Sequence, residues 1–271
     1  MNTEQLIRSW KKEEEIAHIR GWDFSHVDGR CLEGPLPWSY RDAVQAVREP
    51  GMRLLDIETG GGEFLLSLGH PPRLTAVTEA YPPNVRLCRG TLSPLGIDVR
   101  EADAEKELPF ADGAFDLVIN RHGSFNETEI ARVLVPGGCF VTEQVGADND
   151  RELTELLLPG TPPPFPEERA DRIAARFEAA GFEILRCEEA FRPIRFTDVG
   201  ALVWFARIIE WEFPDFSVDR YLPQLLEAQR LVEERGCVEG RAHRILLEAH
   251  LAVGNARPGM RRCNPRLGMS E

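Results

Sequence analysis

No apolar run in the 271-residue chain approaches the roughly 20 residues that a membrane-spanning helix requires. Its first twenty residues, MNTEQLIRSWKKEEEIAHIR, lack the apolar core of a signal peptide, so a cytoplasmic location without a membrane is expected. The six cysteines (31, 88, 139, 187, 237 and 263) contain no CxxC pair, and no His/Cys spacing suits zinc. Reduced thiols and no metal are therefore expected. Basic charge is also scarce: 32 Lys and Arg stand against 45 Asp and Glu, a formal net charge of −13. That balance argues against tight binding to a phosphate backbone, which needs a concentrated basic surface. No Ser-His-Asp order or metal-ligand spacing is convincing, so hydrolase and metalloenzyme readings carry little weight, and no internal repeat is visible.

What is present changes character along the chain. Residues 3–20 carry Leu6, Trp10, Ile16 and Ile19 as an apolar stripe, which predicts an amphipathic helix. The following stretch is irregular and aromatic, with Trp22, Phe24, Trp38 and Tyr40. From about residue 50, short apolar runs alternate with helical stretches: RLLDIE, RLTAVTE, GIDVRE, FDLVIN and CFVTEQV. Strands buried on both faces read this way and predict a parallel α/β sheet. A further strand is expected at GFEILRCEEAF, after a helix that Gly181 stops. Two helices are expected from FTDVGALVWFARIIEWEF and SVDRYLPQLLEAQRLVEERG, the second capped by Ser217, and then a last strand over 242–253.

The most informative segment is RLLDIETGGGE (53–63), a buried strand running into a glycine turn. Backbone N–H groups collected at the carboxyl end of such a strand suit a ligand. Alone the turn is a weak signal, because many loops share it. Glu79 ends the second strand, where a carboxylate can accept from both hydroxyls of a ribose. Asp103 and Ala104 follow the third strand. LPFADGAFDLVIN and ARVLVPGGCFVTEQV then supply a fourth strand, a helix, a Pro-Gly-Gly turn and a fifth strand.

In this order and spacing the motifs LLDIETGGGE, VTEA, DAEKELPF, FDLVIN and LVPGG resemble the class I S-adenosylmethionine-dependent methyltransferases, with a methyltransferase type 11-like core. The resemblance covers about residues 50–145 strongly and reaches 252 more weakly. It implies a Rossmann-like, mostly parallel sheet of seven strands with flanking helices, the last strand antiparallel and a helical insertion before it. The implied organisation is an N-terminal helical and aromatic cap over 1–48 and a methyltransferase domain over 49–254 with its insertion at 197–236. The tail, 255–271, is expected to be disordered. The implied cofactor is S-adenosyl-L-methionine, leaving as S-adenosyl-L-homocysteine. Asp56 would organise the turn, Gly60 and Gly62 would lie against the methionine and ribose, and Glu79 would bind the ribose. Asp103 and Ala104 would border the adenine, and Asn120 would face the methionine or the transfer point.

Glu58 departs from the pattern, which has glycine there for close approach and permissive dihedrals. Its side chain either points away and shifts the loop, or reaches the cofactor's ammonium, or impairs binding.

Methyl transfer from a sulfonium mainly requires alignment and exclusion of water, with a base if the acceptor is a hydroxyl. His122, just past the fourth strand, is the candidate base, against a role in merely bonding its loop. Trp22, Trp38, Tyr40, Trp204 and Trp211 are candidates for the acceptor pocket, although such aromatics often simply pack. The expected activity is methylation of a small molecule at O, N or C. Alternatives are an RNA-base or protein methyltransferase, or a non-catalytic S-adenosylmethionine-binding protein. The acceptor and the oligomeric state are not legible in the residues.

Overall fold

Leu54–Ile57 and Thr75–Glu79 are buried at every residue. That is the state of strands covered on both faces, and it explains why their sequences do not alternate. The computed structural model describes residues 2–19 and 23–253. Trp22 and the tail 255–271 lie outside the described residues.

In chain order the elements are α1 (Thr3–Glu15), β1 (Cys31–Glu33), α2 (Tyr40–Val47), β2 (Leu54–Ile57), α3 (Glu63–Ser67) and β3 (Thr75–Glu79). There follow α4 (Pro82–Thr91), β4 (Asp98–Glu101), β5 (Phe115–Arg121), α5 (Glu127–Val133), β6 (Leu134–Val145) and α6 (Arg151–Leu157). The last are α7 (Ala170–Ala179), β7 (Phe182–Phe196), α8 (Val199–Ile208), α9 (Leu222–Arg235) and β8 (Val238–Leu251). The strands form one eight-stranded sheet in the order β1-β7-β8-β6-β5-β2-β3-β4. The pairs β2·β3, β2·β5, β3·β4 and β5·β6 are parallel, and β1·β7 is antiparallel. The expected α/β architecture is therefore present, with one strand more than the seven implied. The extra strand is β1, in a stretch that reads as irregular because only three residues pair.

The chain divides into two compact units. Among the described residues, one comprises 2–19, 23–36, 145–167 and 190–244; the other comprises 37–144, 168–189 and 245–253. The first holds a core around Trp10, Phe196, Trp204, Phe213 and Phe216. Its helix α1 ends in a charged knot in which Glu13 bonds His26 and Arg30, while Arg30 also reaches Asp198. Asp198 caps α8 by accepting the Ala201 amide at 2.9 Å. The second unit packs Leu55, Ile57, Val118, Phe140 and Phe177 between its sheet and helices. Here Phe140 and Phe177 stack at 5.0 Å. α2, within the stretch read as lead-in, belongs to this second unit.

Three local expectations change. The Pro136-Gly137-Gly138 turn lies inside β6, because Gly137 at φ 80° and a register shift between Phe115 and Leu117 let pairing continue through it. α9 begins at Leu222 with Pro223 in its first turn, so Ser217 does not cap it; the Ser217 hydroxyl accepts the Arg220 amide in the turn before. The expected reduced thiols are found at Cys31, Cys88, Cys187 and Cys237, whereas Cys139 is disulfide-bonded. Gly181 follows α7 at φ 93°, the left-handed conformation expected of a helix stop.

Candidate functional site

Parallel strands β2, β3, β4 and β5 end at a common edge, and the candidate site is built on the loops there, all within the second unit. After β2 the chain turns through Glu58, Thr59 and three glycines into α3. Asp56, buried in β2, accepts the Thr59 hydroxyl at 2.5 Å and so ties the turn to its strand. Burial lifts the Asp56 carboxyl to about 7, only partly opposed by that bond. Gly60 and Gly62 take φ 65° and 83°, conformations that cost a residue with a Cβ. Cys88, on α4, backs the turn by donating its thiol to the Gly60 carbonyl.

The next strand holds the turn from the other side. Glu79 Oε2 accepts the Gly60 amide at 2.9 Å. Its Oε1 accepts the Ala80 amide at 3.0 Å and the Tyr81 amide at 2.9 Å. Three backbone donors thus fix this carboxylate, which is 3% exposed, at the tip of β3. A carboxylate has about four lone-pair sites, so acceptor capacity remains for a diol. Past β4, Asp103 pairs with Lys106 at 2.9 Å and accepts the Glu105 amide, while Ala104 is buried.

Glu58 directly follows β2, and His122 directly follows β5. Ile57 and Asn120 are register partners on β2 and β5, and the chain leaves both strands through a left-handed residue shortly after. Glu58 has φ 56° and His122 has φ 60°. Such backbone costs of order 1–3 kcal/mol in a residue other than glycine and persists only where the surroundings enforce it. The Glu58 side chain lies beside Gly123. Burial first, and Glu79 second, push the Glu58 carboxyl up to about 7.

Asn120 is fully enclosed. Its amide donates to the Ile57 carbonyl at 2.9 Å, and its oxygen accepts from Gln144 and Thr142. Its side chain thus bridges β2 and β6.

Beyond β5 lies a centre absent from the expectations. Glu143 on β6, whose side chain is 3% exposed, receives the Trp38 indole N–H at 2.9 Å and Arg121 Nε at 3.1 Å. His122 Nε2 stands 3.4 Å from the same carboxylate. Burial alone would raise Glu143, but His122, Trp38 and Arg121 overcome it and hold the carboxyl at about 2. Tyr40 donates its hydroxyl to the Asn120 carbonyl at 2.9 Å, and Arg121 lies over the Tyr40 ring. Trp38, Tyr40 and His122 are therefore brought to one place. Trp204 belongs to the core of the first unit, against Phe24, and Trp211 is 43% exposed in that unit. Glu143 carries one sequence signal: TEQ follows an apolar run in a strand, and the β5·β6 register sets it opposite Arg121.

A glycine turn tied to a carboxylate at the next strand tip, on an open parallel sheet, is an arrangement that nucleoside-binding α/β folds use. Residues 55–142 match the family described as "Methyltransferase domain". Among curated relatives, a demethylmenaquinone methyltransferase of Thermus thermophilus is 36% identical over 117 residues, covering 39% of this chain and 53% of the relative. A phthiotriol/phenolphthiotriol dimycocerosates methyltransferase of Mycobacterium tuberculosis is 32% identical over 133 residues, covering 45% of this chain and 48% of the relative. The chain spans about half the length of these curated relatives. The fold is shared with a candidate methyltransferase of Bacillus halodurans C-125, at a TM-score of 0.56 and 17% identity, covering 79% of this chain and 99% of that one. Among the described residues, no helix is long and apolar enough to cross a membrane, and no group of acidic, histidine or cysteine side chains could hold a metal ion.

Proposed function

We propose that the protein transfers a methyl group from S-adenosylmethionine to a small-molecule acceptor. The observation that carries this reading is the Gly60 amide bonded to the Glu79 carboxylate, which sets a glycine turn and a diol acceptor side by side. The bound cofactor would supply a methyl group already activated on a sulfonium. Gly60 and Gly62 would lie along it, Glu79 would accept from its ribose hydroxyls, and Ala104 would border its adenine. Asp56 holds the turn in place through Thr59.

Glu143 and His122 form the acid–base element. A buried carboxylate held ionised beside the imidazole favours the protonated ring, so His122 is equipped to take a proton from an acceptor hydroxyl. The two curated relatives are named for demethylmenaquinone and for phthiotriol/phenolphthiotriol dimycocerosates. By analogy we assign the acceptor to apolar molecules carrying a hydroxyl or an activated ring carbon. A net charge of −13 supports a small molecule over RNA.

The test is calorimetric titration with S-adenosylmethionine and S-adenosylhomocysteine, followed by transfer of a labelled methyl group to a panel of quinols and hydroxylated lipids. Saturable binding with label in an acceptor supports the proposal. Binding without transfer to any acceptor favours the non-catalytic reading, for which Glu58 is the motivating observation. No binding overturns both.

A further inference from the structure

Arg121 ends β5 at the carboxyl edge of the sheet, and its guanidinium is held in place by three neighbours. Its Nε donates to the Glu143 carboxylate at 3.1 Å. Its central carbon stands 5.8 Å from the centre of the Tyr40 ring and 5.9 Å from that of Phe64. These supports are themselves fixed. Glu143 is 3% exposed and also receives the Trp38 indole. Tyr40 is buried with its hydroxyl on the Asn120 carbonyl, and its ring packs on Phe64 at 4.9 Å. Phe64 lies in α3, two residues past Gly62, so these contacts bring the guanidinium to the helix that the glycine turn starts. The far end of the guanidinium is uncommitted. The Arg121 side chain is 46% exposed, and among the described residues its two terminal nitrogens bond no protein group. Arg41, over the same Phe64 ring, is the contrast: its terminal nitrogens donate to the Ser67 carbonyl at 3.0 Å and hydroxyl at 2.7 Å.

We infer that Arg121 determines specificity at the acceptor site, and that the methyl acceptor carries a carboxylate which docks on its two terminal nitrogens. The inference rests on the methyltransferase reading above and deepens it by naming the charge class of the acceptor. A guanidinium presents its donors as a planar fork that a carboxylate meets with two parallel bonds. Glu143 uses the Nε edge and leaves the end of the fork open. Because the fork is held in one orientation beforehand, less side-chain freedom is lost when a ligand docks. Placement favours the acceptor over the cofactor. Arg121 Nε and His122 Nε2 reach the same oxygen, Glu143 Oε1, at 3.1 and 3.4 Å. The fork and the proposed base therefore stand side by side, and an acceptor hydroxyl at His122 would bring its neighbouring substituent to Arg121. Charge narrows the ligand further. Glu143 already offsets one positive charge, so in a chain of net charge −13 a monoanion suits the site better than a phosphate dianion.

Wild type, Arg121→Gln and Arg121→Lys would be titrated by calorimetry with S-adenosylhomocysteine and with methylthioadenosine, which lacks the amino-acid end. Each would then be titrated, with S-adenosylhomocysteine present, with dodecanoate and with its neutral counterpart dodecanamide. Wild type should bind dodecanoate about tenfold or more tighter than dodecanamide, the difference expected of one charge-assisted pair. Arg121→Gln should lose that preference and keep wild-type affinity for S-adenosylhomocysteine. Arg121→Lys, a point charge without the fork, should keep part of it. If thermal melts show Arg121→Gln to be unfolded, Arg121→Lys carries the comparison, and wild-type affinity for dodecanoate in that variant would overturn the inference. Equal or unmeasurable binding of the two probes by wild type, or a preference that survives in Arg121→Gln, would overturn it and leave the cofactor reading standing. A loss of S-adenosylhomocysteine affinity in Arg121→Gln, with methylthioadenosine affinity unchanged, would overturn it by assigning the guanidinium to the cofactor's own carboxylate. If wild type binds neither adenosyl ligand at millimolar concentration, the cofactor reading fails and the inference falls with it.

Discussion

His122 Nε2 lies 3.4 Å from Oε1 of Glu143, a carboxylate on the adjacent strand that also receives Trp38 and Arg121. An imidazole at the edge of a site is thereby paired with a buried anion, which holds the ring in orientation and favours its charged form. Replacement of Glu143 by Gln should preserve the shape and remove the charge. Turnover is expected to fall about 10- to 100-fold, with the acidic limb of the rate–pH profile shifted to lower pH. An unshifted profile would assign His122 to loop structure alone.

The same carboxylate makes a prediction for stability. Its folded pKa, held at about 2, lies below the ordinary 4.5, so its contribution is present above pH 4.5 and is lost as pH falls through about 2. The full contribution is about 3 kcal/mol. Denaturant midpoints measured from pH 6 to pH 2 should fall more steeply for wild type than for Glu143→Gln.

Asp56 should act with the opposite sign. Its folded pKa, about 7, is raised above the ordinary 3.8, so the protonated form stabilises the folded state below 3.8 and that gain is lost as pH rises through about 7. Asp56→Asn should therefore melt at a higher temperature than wild type at pH 8, with little difference at pH 4. Equal melting temperatures at both pH values would show that Asp56 carries no net charge penalty.

Glu79→Ala removes the acceptor of three backbone amides as well as the proposed ribose partner. A loss of about 1–3 kcal/mol in stability is expected from the buried donors left unpaired. Adenosyl-ligand affinity should fall by at least about tenfold. Glu79→Gln, which retains one acceptor oxygen, should recover part of both, as read by thermal melts and calorimetry.

Trp204 and Trp211 separate packing from recognition. Trp204→Ala should cost about 3–5 kcal/mol by opening a cavity in the first unit's core. Trp211→Ala, at a 43% exposed position, should leave stability within about 0.5 kcal/mol. A KM change in Trp211→Ala at unchanged stability would place Trp211 against the acceptor.

Much of the fold was legible because its signals are local. RLLDIE, RLTAVTE and FDLVIN are apolar runs bounded by turn residues, and each became a buried strand of the sheet. The place of Asp56 in the turn was implied by the resemblance, and the structure supplies its partner, the Thr59 hydroxyl three residues on. Local chemistry misled where pairing overrode it. Pro136-Gly137-Gly138 has turn composition, yet the partner strand β5 carries it through as part of β6. Ser217 has the side chain of a cap, yet the helix starts beyond it.

The sequence by itself determined the order of strands and turns, the glycine turn with its acidic partner on the next strand, and the exception at Glu58. Apolar periodicity, glycine dihedrals and carboxylate spacing act over a few residues and leave their mark in any one sequence. The tertiary structure decided where those side chains go. It set Glu143 against His122, bonded Asn120 to the strands on either side, and laid Glu58 beside Gly123. Each of these depends on the register between strands distant in the chain, and on the burial that register creates. Both are properties of paired backbones that no single stretch of residues carries.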